Sequence, residues 1–297
     1  RRRFAEDKLR MLRAVRFAAR FGYGIEPLTF KAIRQHAHEI DVVSTERIHE
    51  ELTKLLTEGA ARRGFELLDE SGLLEEILPE IFAMKGVPQP PDFHPEGDVW
   101  IHTLRLLEGL STRVSPTLAW GALLHDVGKP PTFRPASETG DRIRFDSHVE
   151  VGVRMAAQIA KRLKFSNDDT EQIEALVANH MRFKDVSQMR KSTLKRFIRL
   201  PQFSEHLELH RLDCQASHGR LDAYELVRDF LAETPPDEVR PTRLLTGDDL
   251  NEMGYAPGPQ YQKILAALED AQLEGTLATR EDAMAFVRKY YPLAAVG

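Results

Sequence analysis

The sequence lacks several features that would place it in large classes of proteins. Its only cysteine is Cys214, which excludes an internal disulfide and favours a reducing compartment, so we expect a cytoplasmic protein. It has no apolar run of about 18 residues and no secretory signal peptide, so we expect no membrane association. Its net charge of -5 provides no global positive field, so attraction to nucleic acid would have to come from a local patch.

Alternating apolar and polar residues, the pattern of β-strands, are also scarce, and residues 142–145 are the single short candidate. Apolar residues instead recur at helical spacing, which predicts an all-α fold. Two polar stretches rich in proline, residues 86–98 and 233–243, mark boundaries. We therefore expect a helical neck over 1–88, a second helical domain over 89–232 and a small helical tail over 233–297.

The second domain contains an ordered set of metal-binding residue types. His125 and Asp126 stand side by side in "LLHDVGK" (123–129). Neighbours on a helix point about 100° apart, so both can reach one ion only near a helix end, which Gly128 provides. Imidazole and carboxylate together suit a divalent ion such as Mn, Fe, Mg, Ni or Zn, and such an ion would acidify a bound water for phosphoester hydrolysis. Further candidates occupy matching places in neighbouring helices: His102, His148, His180 and Asp213.

This set resembles the HD superfamily of metal-dependent phosphohydrolases. The resemblance implies one metal held by the first histidine, the HD pair and the last aspartate, and it allows a second metal supported by the two intermediate histidines. All six positions are filled: His102, His125, Asp126, His148, His180 and Asp213. The alternative is a buried polar cluster that fixes five helices without an ion. The other histidines nearby are expected to be ordinary half-buried side chains: His94, His206, His210 and His218.

The first residues form a local basic patch, with eight Arg or Lys in residues 1 to 20 against Glu6 and Asp7. The stretch "EDKLRMLRAVRFAARF" (6–21) predicts a helix from about Phe4 to Phe21. Asp7 and Arg10 are three positions apart, so both project from one face of such a helix. Taken alone, the two acids could equally complement a helix N-terminus or form a surface ion pair.

Together with "VSTERIHEELTKLL" (43–56), this stretch resembles the neck of the class II tRNA nucleotidyltransferases, which include CCA-adding enzymes, A-adding enzymes and poly(A) polymerase relatives. The match is close over residues 4 to 56. The HD-type unit and the tail segment "LLTGDDLNEMGYAPGPQYQKILAALEDAQLEG" extend it over almost the whole chain.

The resemblance implies that Asp7 and Arg10 bind the Watson–Crick edge of the incoming base. The carboxylate accepts from the exocyclic amine of C or A, the guanidinium donates to the adjacent ring nitrogen, and U and G are rejected. Glu6 would hold Arg10 in place, and Arg13 would contact the nucleotide phosphates or the RNA end. Arg16 and Arg20 would bind RNA or form a solvated face.

The family places nucleotidyl transfer in a head domain before the neck, with a GG or GS motif and an Asp-x-Asp pair. This sequence contains no GG or GS dipeptide and no Asp-x-Asp pair in a fitting context. We therefore expect a fragment with no catalytic residue for transfer. The full-length enzyme would use Mg²⁺, take ATP and in some members CTP, bind the tRNA 3′ end and work as a monomer.

Three alternatives remain. A metal phosphohydrolase as main activity would leave "EDKLRMLRAVRF" unexplained. A poly(A) polymerase would be expected to end in a basic extension, whereas this tail contains "GDDLNE". A non-catalytic RNA-binding module would not need the six-residue HD set. The choice between CCA addition and A-only addition depends on the head domain.

Overall fold

The computed structural model describes residue 4, residues 6–91 and residues 94–293. The predicted all-α fold is confirmed, because nearly all regular structure in these ranges is helical. The strands found there are β1 (Phe133–Arg134) and β2 (Arg144–Phe145), which pair antiparallel, and β2 ends the short stretch that the sequence favoured. No helix in the described ranges has the length and apolarity needed to cross a bilayer.

Short helices joined by tight turns make up the chain up to residue 82: α1 (Leu9–Phe21), α2 (Pro27–His36), a 3₁₀ helix (Ala37–Val42), α3 (Thr45–Thr57), α4 (Ala61–Glu70), α5 (Leu73–Ile77) and α6 (Pro79–Phe82). The helices that follow residues 86–98 are α7 (Val99–Glu108), α8 (Pro116–Leu124), α9 (Lys129–Thr132), α10 (Ala136–Thr139), α11 (His148–Arg162), α12 (Asn167–Asn179) and a second 3₁₀ helix (His180–Gln188). The remaining helices are α13 (Lys191–Phe197), α14 (Phe203–Ala216), α15 (Asp222–Glu233), α16 (Pro236–Val239), α17 (Gly247–Glu252), α18 (Pro259–Leu273) and α19 (Arg280–Tyr290).

The helix that the sequence predicted from Phe4 is interrupted. Phe4 and Glu6 are helical, the chain leaves the helix at Asp7 and Lys8, and α1 begins at Leu9. The reason is local: the Asp7 carboxylate accepts the backbone N–H of Leu9 at 3.1 Å, and such a bond competes with helical bonding. One face of α1 is anchored in the core by Met11, Leu12 and Val15, whose side chains are fully buried.

Helix α8 is buried on all sides, which explains its uniformly apolar sequence. Ser115 caps its N-terminus by accepting the backbone N–H of Leu118, and Pro116 occupies the first turn. Gly121 lets α12 approach closely, since a Cβ there would lie 2.6 Å from Leu176 Cδ1. The residues that follow α8 are therefore held at a fixed place in the interior.

Spatial contacts divide the chain into two compact units. The first comprises residues 1–183 and 204–224, and the second comprises residues 184–203 and 225–297. In the first unit one continuous core runs through the helices on both sides of residues 86–98; for example, the Trp120 indole N–H donates to Thr53 Oγ1 at 2.9 Å. The second unit has its own core around Leu250 and Ile264. The division predicted at residues 88 and 232 rests on composition, and composition does not show which helices share a core. It remains a prediction about where the neck, the second domain and the tail meet.

Candidate metal centre and nucleotide-selecting helix

The structure brings all six predicted metal ligands together in the first unit. They form two groups, and within each group the potential ligand atoms lie within 4.8 Å of one another. The groups are His102, His125 and Asp213, and Asp126, His148 and His180. The adjacent residues His125 and Asp126, directly after α8, thus each belong to a different group.

Helix termini place most of these side chains. His125 and Asp126 follow α8, His148 is the first residue of α11 and His180 directly follows α12. Gly128 sets the distance between two of these ends, because a Cβ there would lie 2.0 Å from the His148 carbonyl oxygen. The turn after α8 therefore packs backbone to backbone on the start of α11, with His148 in reach of Asp126.

The four histidines all have their Nδ1 atoms occupied. In three of them Nδ1 donates to a backbone carbonyl, and because a carbonyl only accepts, the proton must sit on Nδ1. In the fourth, Nδ1 donates to a carboxylate. The four bonds are His125 to Ala122 O (2.9 Å), His148 to Phe145 O (2.9 Å), His180 to Val177 O (2.7 Å) and His102 to Glu96 Oε1 (2.7 Å). Each ring thus turns Nε2 toward the centre, the orientation that metal-ligating histidines commonly show.

Two of these Nε2 atoms, those of His148 and His180, are buried and have no hydrogen-bond partner among the described residues. Burial lowers the pKa of His180 to about 4 and also lowers the pKa of His148, so both rings are neutral and offer a lone pair. His180 Nε2 lies 3.8 Å from Asp126 Oδ1, beyond hydrogen-bond distance. Two neutral imidazoles and a carboxylate with this spacing fit a divalent ion.

The other group is held together by charge. His102 Nε2 lies 3.1 Å from Asp213 Oδ1 and 3.3 Å from His125 Nε2, and His125 Nε2 lies 3.2 Å from Asp126 Oδ2. Burial alone would lower the pKa of His102, but the carboxylates of Asp213 and Glu96 raise it to about 9. A proton on His102 thus neutralises this group, and a cation there would do the same.

Lys129 and Gln89 belong to the site and were missed by the sequence analysis. Lys129 is buried; its Nζ lies 2.7 Å from Asp126 Oδ2 and donates to Gln89 Oε1 at 2.6 Å. Burial would raise the pKa of Asp126, but Lys129 and the neighbouring histidines hold it well below its usual range. Lys129 ends the "LLHDVGK" motif itself, so its place in the site could have been inferred, whereas Gln89 carries no such signal.

Glu96 is a further missed residue, and it lies in the polar stretch 86–98 where composition gave no hint. Its Oε1 accepts from His102 Nδ1 at 2.7 Å and from His94 Nδ1 at 2.9 Å. Burial would raise the pKa of Glu96, but these two donors lower it to about 2. His94, expected to be an ordinary side chain, therefore lies beside the candidate metal centre through a shared carboxylate.

The remaining histidines lie outside both ligand groups. His206 and His210 are buried, and the His210 ring stacks on Phe183 with centroids 4.4 Å apart. His210 Nε2 lies 3.6 Å from Cys214 Sγ, and burial raises the pKa of that thiol to about 12. His218 is exposed and accepts a backbone N–H.

At the start of α1, the two residues expected to select the nucleotide are held by charged neighbours. Asp7 Oδ2 lies 3.0 Å from Arg47 Nη2 on α3, and this contact lowers the pKa of Asp7. Arg10 Nη1 lies 3.2 Å from Glu6 Oε2. Arg47 was not singled out from the sequence, because nothing in the periodicity of α3 shows that it faces Asp7.

The other arginines of α1 differ sharply in their surroundings. Arg16 is buried, and its guanidinium lies 2.8 Å from both Glu51 Oε2 and Glu58 Oε2. This geometry gives Arg16 a structural role, and nothing in it supports the RNA contact that the sequence suggested. Arg13 and Arg20 are exposed. Arg1, Arg2 and Arg3, part of the predicted basic patch, lie outside the described residues.

Two protein-family matches cover most of the neck and the HD-type unit. A family described as "Probable RNA and SrmB-binding site of polymerase A" matches residues 22–85, and the HD domain family matches residues 99–212. A solved structure of a CCA-adding enzyme with CTP has the same fold, with a TM-score of 0.54 and 16% identity over 98% of this chain and 61% of that one.

Two curated proteins are similar over nearly the whole chain. An A-adding tRNA nucleotidyltransferase of Deinococcus radiodurans is 34% identical over 96% of this chain and 68% of its own length. A CC-adding tRNA nucleotidyltransferase of Thermus thermophilus is 34% identical over 95% of this chain and 66% of its own length. The chain thus spans about two thirds of these proteins, and it belongs to the tRNA nucleotidyltransferase family, as the resemblance of its neck and HD unit predicted.

Proposed function

We propose that this chain selects the incoming nucleotide and holds the RNA end in an enzyme that adds C and/or A to the 3′ end of tRNA. The observation that carries the proposal is the placement of a half-buried carboxylate and a half-buried guanidinium, Asp7 and Arg10, at the start of a helix anchored in the core. The functions named for the two relatives support it. We assign the transfer step, with ATP, CTP and Mg²⁺, to a head domain outside these 297 residues.

The neighbours of this pair suit base selection. Asp7 is ionised and therefore only accepts, and each carboxylate oxygen keeps a lone pair beyond its bond to Arg47 or to the Leu9 N–H. It can accept from the exocyclic amine of C or A. Arg10, oriented by Glu6, can donate to the adjacent ring nitrogen. U and G present a donor where Arg10 donates and an acceptor where Asp7 accepts, so both are rejected.

Nucleotide incorporation by the complete enzyme tests this assignment. Arg10→Ala should lose discrimination against UTP and GTP by about 1–3 kcal/mol, the contribution of one good bidentate contact to a base. Arg34→Ala, which removes an exposed arginine of α2, is the matched control and should keep wild-type selectivity. Unchanged selectivity in Arg10→Ala would reject the assignment.

A second experiment uses this chain alone. It should bind tRNA weakly, and the affinity should fall steeply with salt because phosphate contacts release counterions. Arg13 and Arg20 are the α1 cations that we assign to this contact. Gel-shift titrations at two salt concentrations measure it. Nucleotide incorporation by this chain alone would show that the transfer site lies within it.

The six clustered residues of the candidate metal centre support a second candidate function, a metal-dependent phosphohydrolase. The observation that favours it is the pair of buried Nε2 atoms of His148 and His180, which lie near Asp126 and have no partner in the described part of the chain. His102, His125, Asp126 and Asp213 would hold one divalent ion and His148 and His180 would support a second, with Mn²⁺, Ni²⁺, Mg²⁺ or Fe²⁺ as candidates. Such an ion would supply an acidified water. The backbone carbonyls and Glu96 that accept from the Nδ1 atoms orient the four histidines toward it.

Assays with 2′,3′-cyclic nucleotides and each of these ions test the hydrolase function. We expect turnover with at least one ion, and the His180→Gln variant should lose it. A wild-type protein with no turnover and no bound metal by elemental analysis would leave the cluster as a buried polar scaffold. That result would not affect the selection of nucleotides by Asp7 and Arg10.

A further inference from the structure

Three aromatic rings form an exposed row at the C-terminal end of α1. Phe17, Phe21 and Tyr23 are 37%, 53% and 70% exposed. The Phe17 and Phe21 rings are 6.0 Å apart and nearly parallel, at 13°, and the Phe21 and Tyr23 rings are 5.9 Å apart at 31°. Large aromatic side chains of this kind are usually buried, so an exposed row needs an explanation.

The row is held rigidly. Met11, Leu12 and Val15 anchor the opposite face of α1 in the core. The helix ends at Gly22 with φ 66°, a left-handed conformation that glycine adopts without strain. The Tyr23 N–H then bonds back to Ala18 O at 2.9 Å, as in a Schellman motif. This turn brings the Tyr23 ring beside Phe21.

Positive charge lines the row. The Arg13 guanidinium lies 5.7 Å from the centre of the Phe17 ring, and the Arg20 guanidinium lies 5.4 Å from the centre of the Phe21 ring. Both arginines are exposed; Arg20 also lies 3.2 Å from Glu58 Oε2. Phe17 also rests on the buried guanidinium of Arg16, at 4.3 Å, so Phe21 and Tyr23 offer the more open ring surfaces. Aromatic rings interleaved with cations match single-stranded nucleic acid, whose bases stack while its phosphates seek cations.

We propose that Phe17, Phe21 and Tyr23 form a stacking platform for the unpaired last bases of the RNA 3′ end. The platform rests on the proposed function, because it lies on the helix that starts at the nucleotide-selecting pair. At about 1.5 Å per residue, Phe17 is about 10 Å and Phe21 about 16 Å along the axis from Arg10. The incoming base would bind at the start of α1, and the bases already in the RNA would stack toward its end.

RNA fits this surface better than a protein segment does. Arginines lie against two rings of the patch, and their charge suits phosphates rather than an apolar protein segment. A second copy of the chain would bring two like-charged arginine rows together, which is unfavourable. Stacking also requires a flat ring, which gives a sharp way to test the platform.

The test measures fluorescence anisotropy of a labelled hairpin RNA with a single-stranded 3′ end of C residues, bound to this chain. Phe21→Leu keeps an apolar side chain but removes the flat ring, and it should weaken binding roughly tenfold, as expected when one base–aromatic stack is lost. Phe21→Tyr should bind like wild type. Val42→Ala, which changes an exposed apolar residue outside the row, is the control. Thermal melts confirm that each variant is folded.

The same RNA with abasic sugars at its last two positions completes the test. Wild type should bind the abasic RNA at least as weakly as Phe21→Leu binds the intact RNA. Phe21→Leu should bind the abasic RNA no more weakly than wild type does. Equal binding of wild type and Phe21→Leu, or of intact and abasic RNA, would overturn the platform. So would a change in self-association of Phe21→Leu by sedimentation with RNA affinity unchanged. Because base selection is measured with Arg10→Ala, a failure of the platform is distinguishable from a failure of the proposed function.

Discussion

His102 and His125 point their Nε2 atoms at each other across 3.3 Å in the interior of the first unit. The Nδ1 atoms of both rings are already committed to acceptors, so two lone pairs would meet here unless a proton or a cation lies between the rings. Asp213 and Asp126 add negative charge on either side. A cluster arranged in this way needs positive charge at its centre.

His180→Gln should weaken binding of a divalent ion with little loss of stability. The Nε2 atom of His180 has no protein partner among the described residues, so its replacement breaks no ion pair. We expect Mn²⁺ affinity by isothermal titration to fall more than tenfold, since even residues that only orient a ligand typically contribute about 10-fold. The melting temperature in chelator should stay near that of wild type. An unchanged Mn²⁺ affinity would show that His180 Nε2 is not a metal ligand.

Asp126→Asn should behave differently, because it also removes the counter-charge of Lys129. Nζ of Lys129 is buried 2.7 Å from Asp126 Oδ2. A buried charge left without its partner typically costs about 3–5 kcal/mol. Urea unfolding in chelator should show this loss, and Lys129→Met added to Asp126→Asn should recover much of it. Purely additive effects of the two substitutions would contradict the coupling.

Arg16→Met should destabilise the fold, whereas Arg13→Met should not. Arg16 is the buried partner of the buried Glu51 and also contacts the half-buried Glu58, so its loss should lower the free energy of unfolding by about 3–5 kcal/mol. Arg13 is exposed, and its replacement should stay within about 0.5 kcal/mol. Urea unfolding of both variants measures the difference. If Arg16→Met weakened RNA binding while its stability was unchanged, a direct RNA contact would be indicated.

Stability should fall as the pH drops from about 6.5 toward 4. Burial lowers the pKa of His206 and of His210 to about 4, so between these values the unfolded chain binds protons that the folded chain does not. His180 contributes in the same direction. His102, whose pKa is raised to about 9, stabilises the fold throughout this window and loses that effect only above it.

The double variant His206→Gln and His210→Gln isolates this effect. Its free energy of unfolding, measured with urea and chelator at several pH values, should fall less steeply than that of wild type. Parallel curves would mean that these two histidines do not carry the dependence.

The sequence predicted those parts of the molecule that depend on local pattern. Helical periodicity gave the all-α fold, and the spacing from His102 to Asp213 gave the six residues that the structure brings together. The break before α1, at Asp7 and Lys8, was missed, because periodicity does not show that the Asp7 side chain accepts a backbone N–H. Glu96 and Arg47 were missed for a different reason. Glu96 contacts His102 and Arg47 contacts Asp7 only in the folded chain, and no motif in the sequence around either residue indicates these contacts.

The same limit applies to charge. Arg13, Arg16 and Arg20 all lie on α1, yet only Arg16 is buried against two carboxylates, Glu51 of α3 and Glu58 directly after it. A stripe of arginines therefore indicates which helix carries positive charge, but which members remain exposed is decided by tertiary packing.

The chain leaves the first unit after residue 183 and returns to it for residues 204–224. Asp213, on the returning helix, is therefore the last of the six clustered residues to be synthesised on the ribosome. Until it emerges, the partly made unit contains His102 and His125 without the carboxylate that lies 3.1 Å from His102. Because domains generally fold as units during synthesis, the cluster should close late, and early chain termination would leave an electrostatically incomplete interior for quality control to recognise.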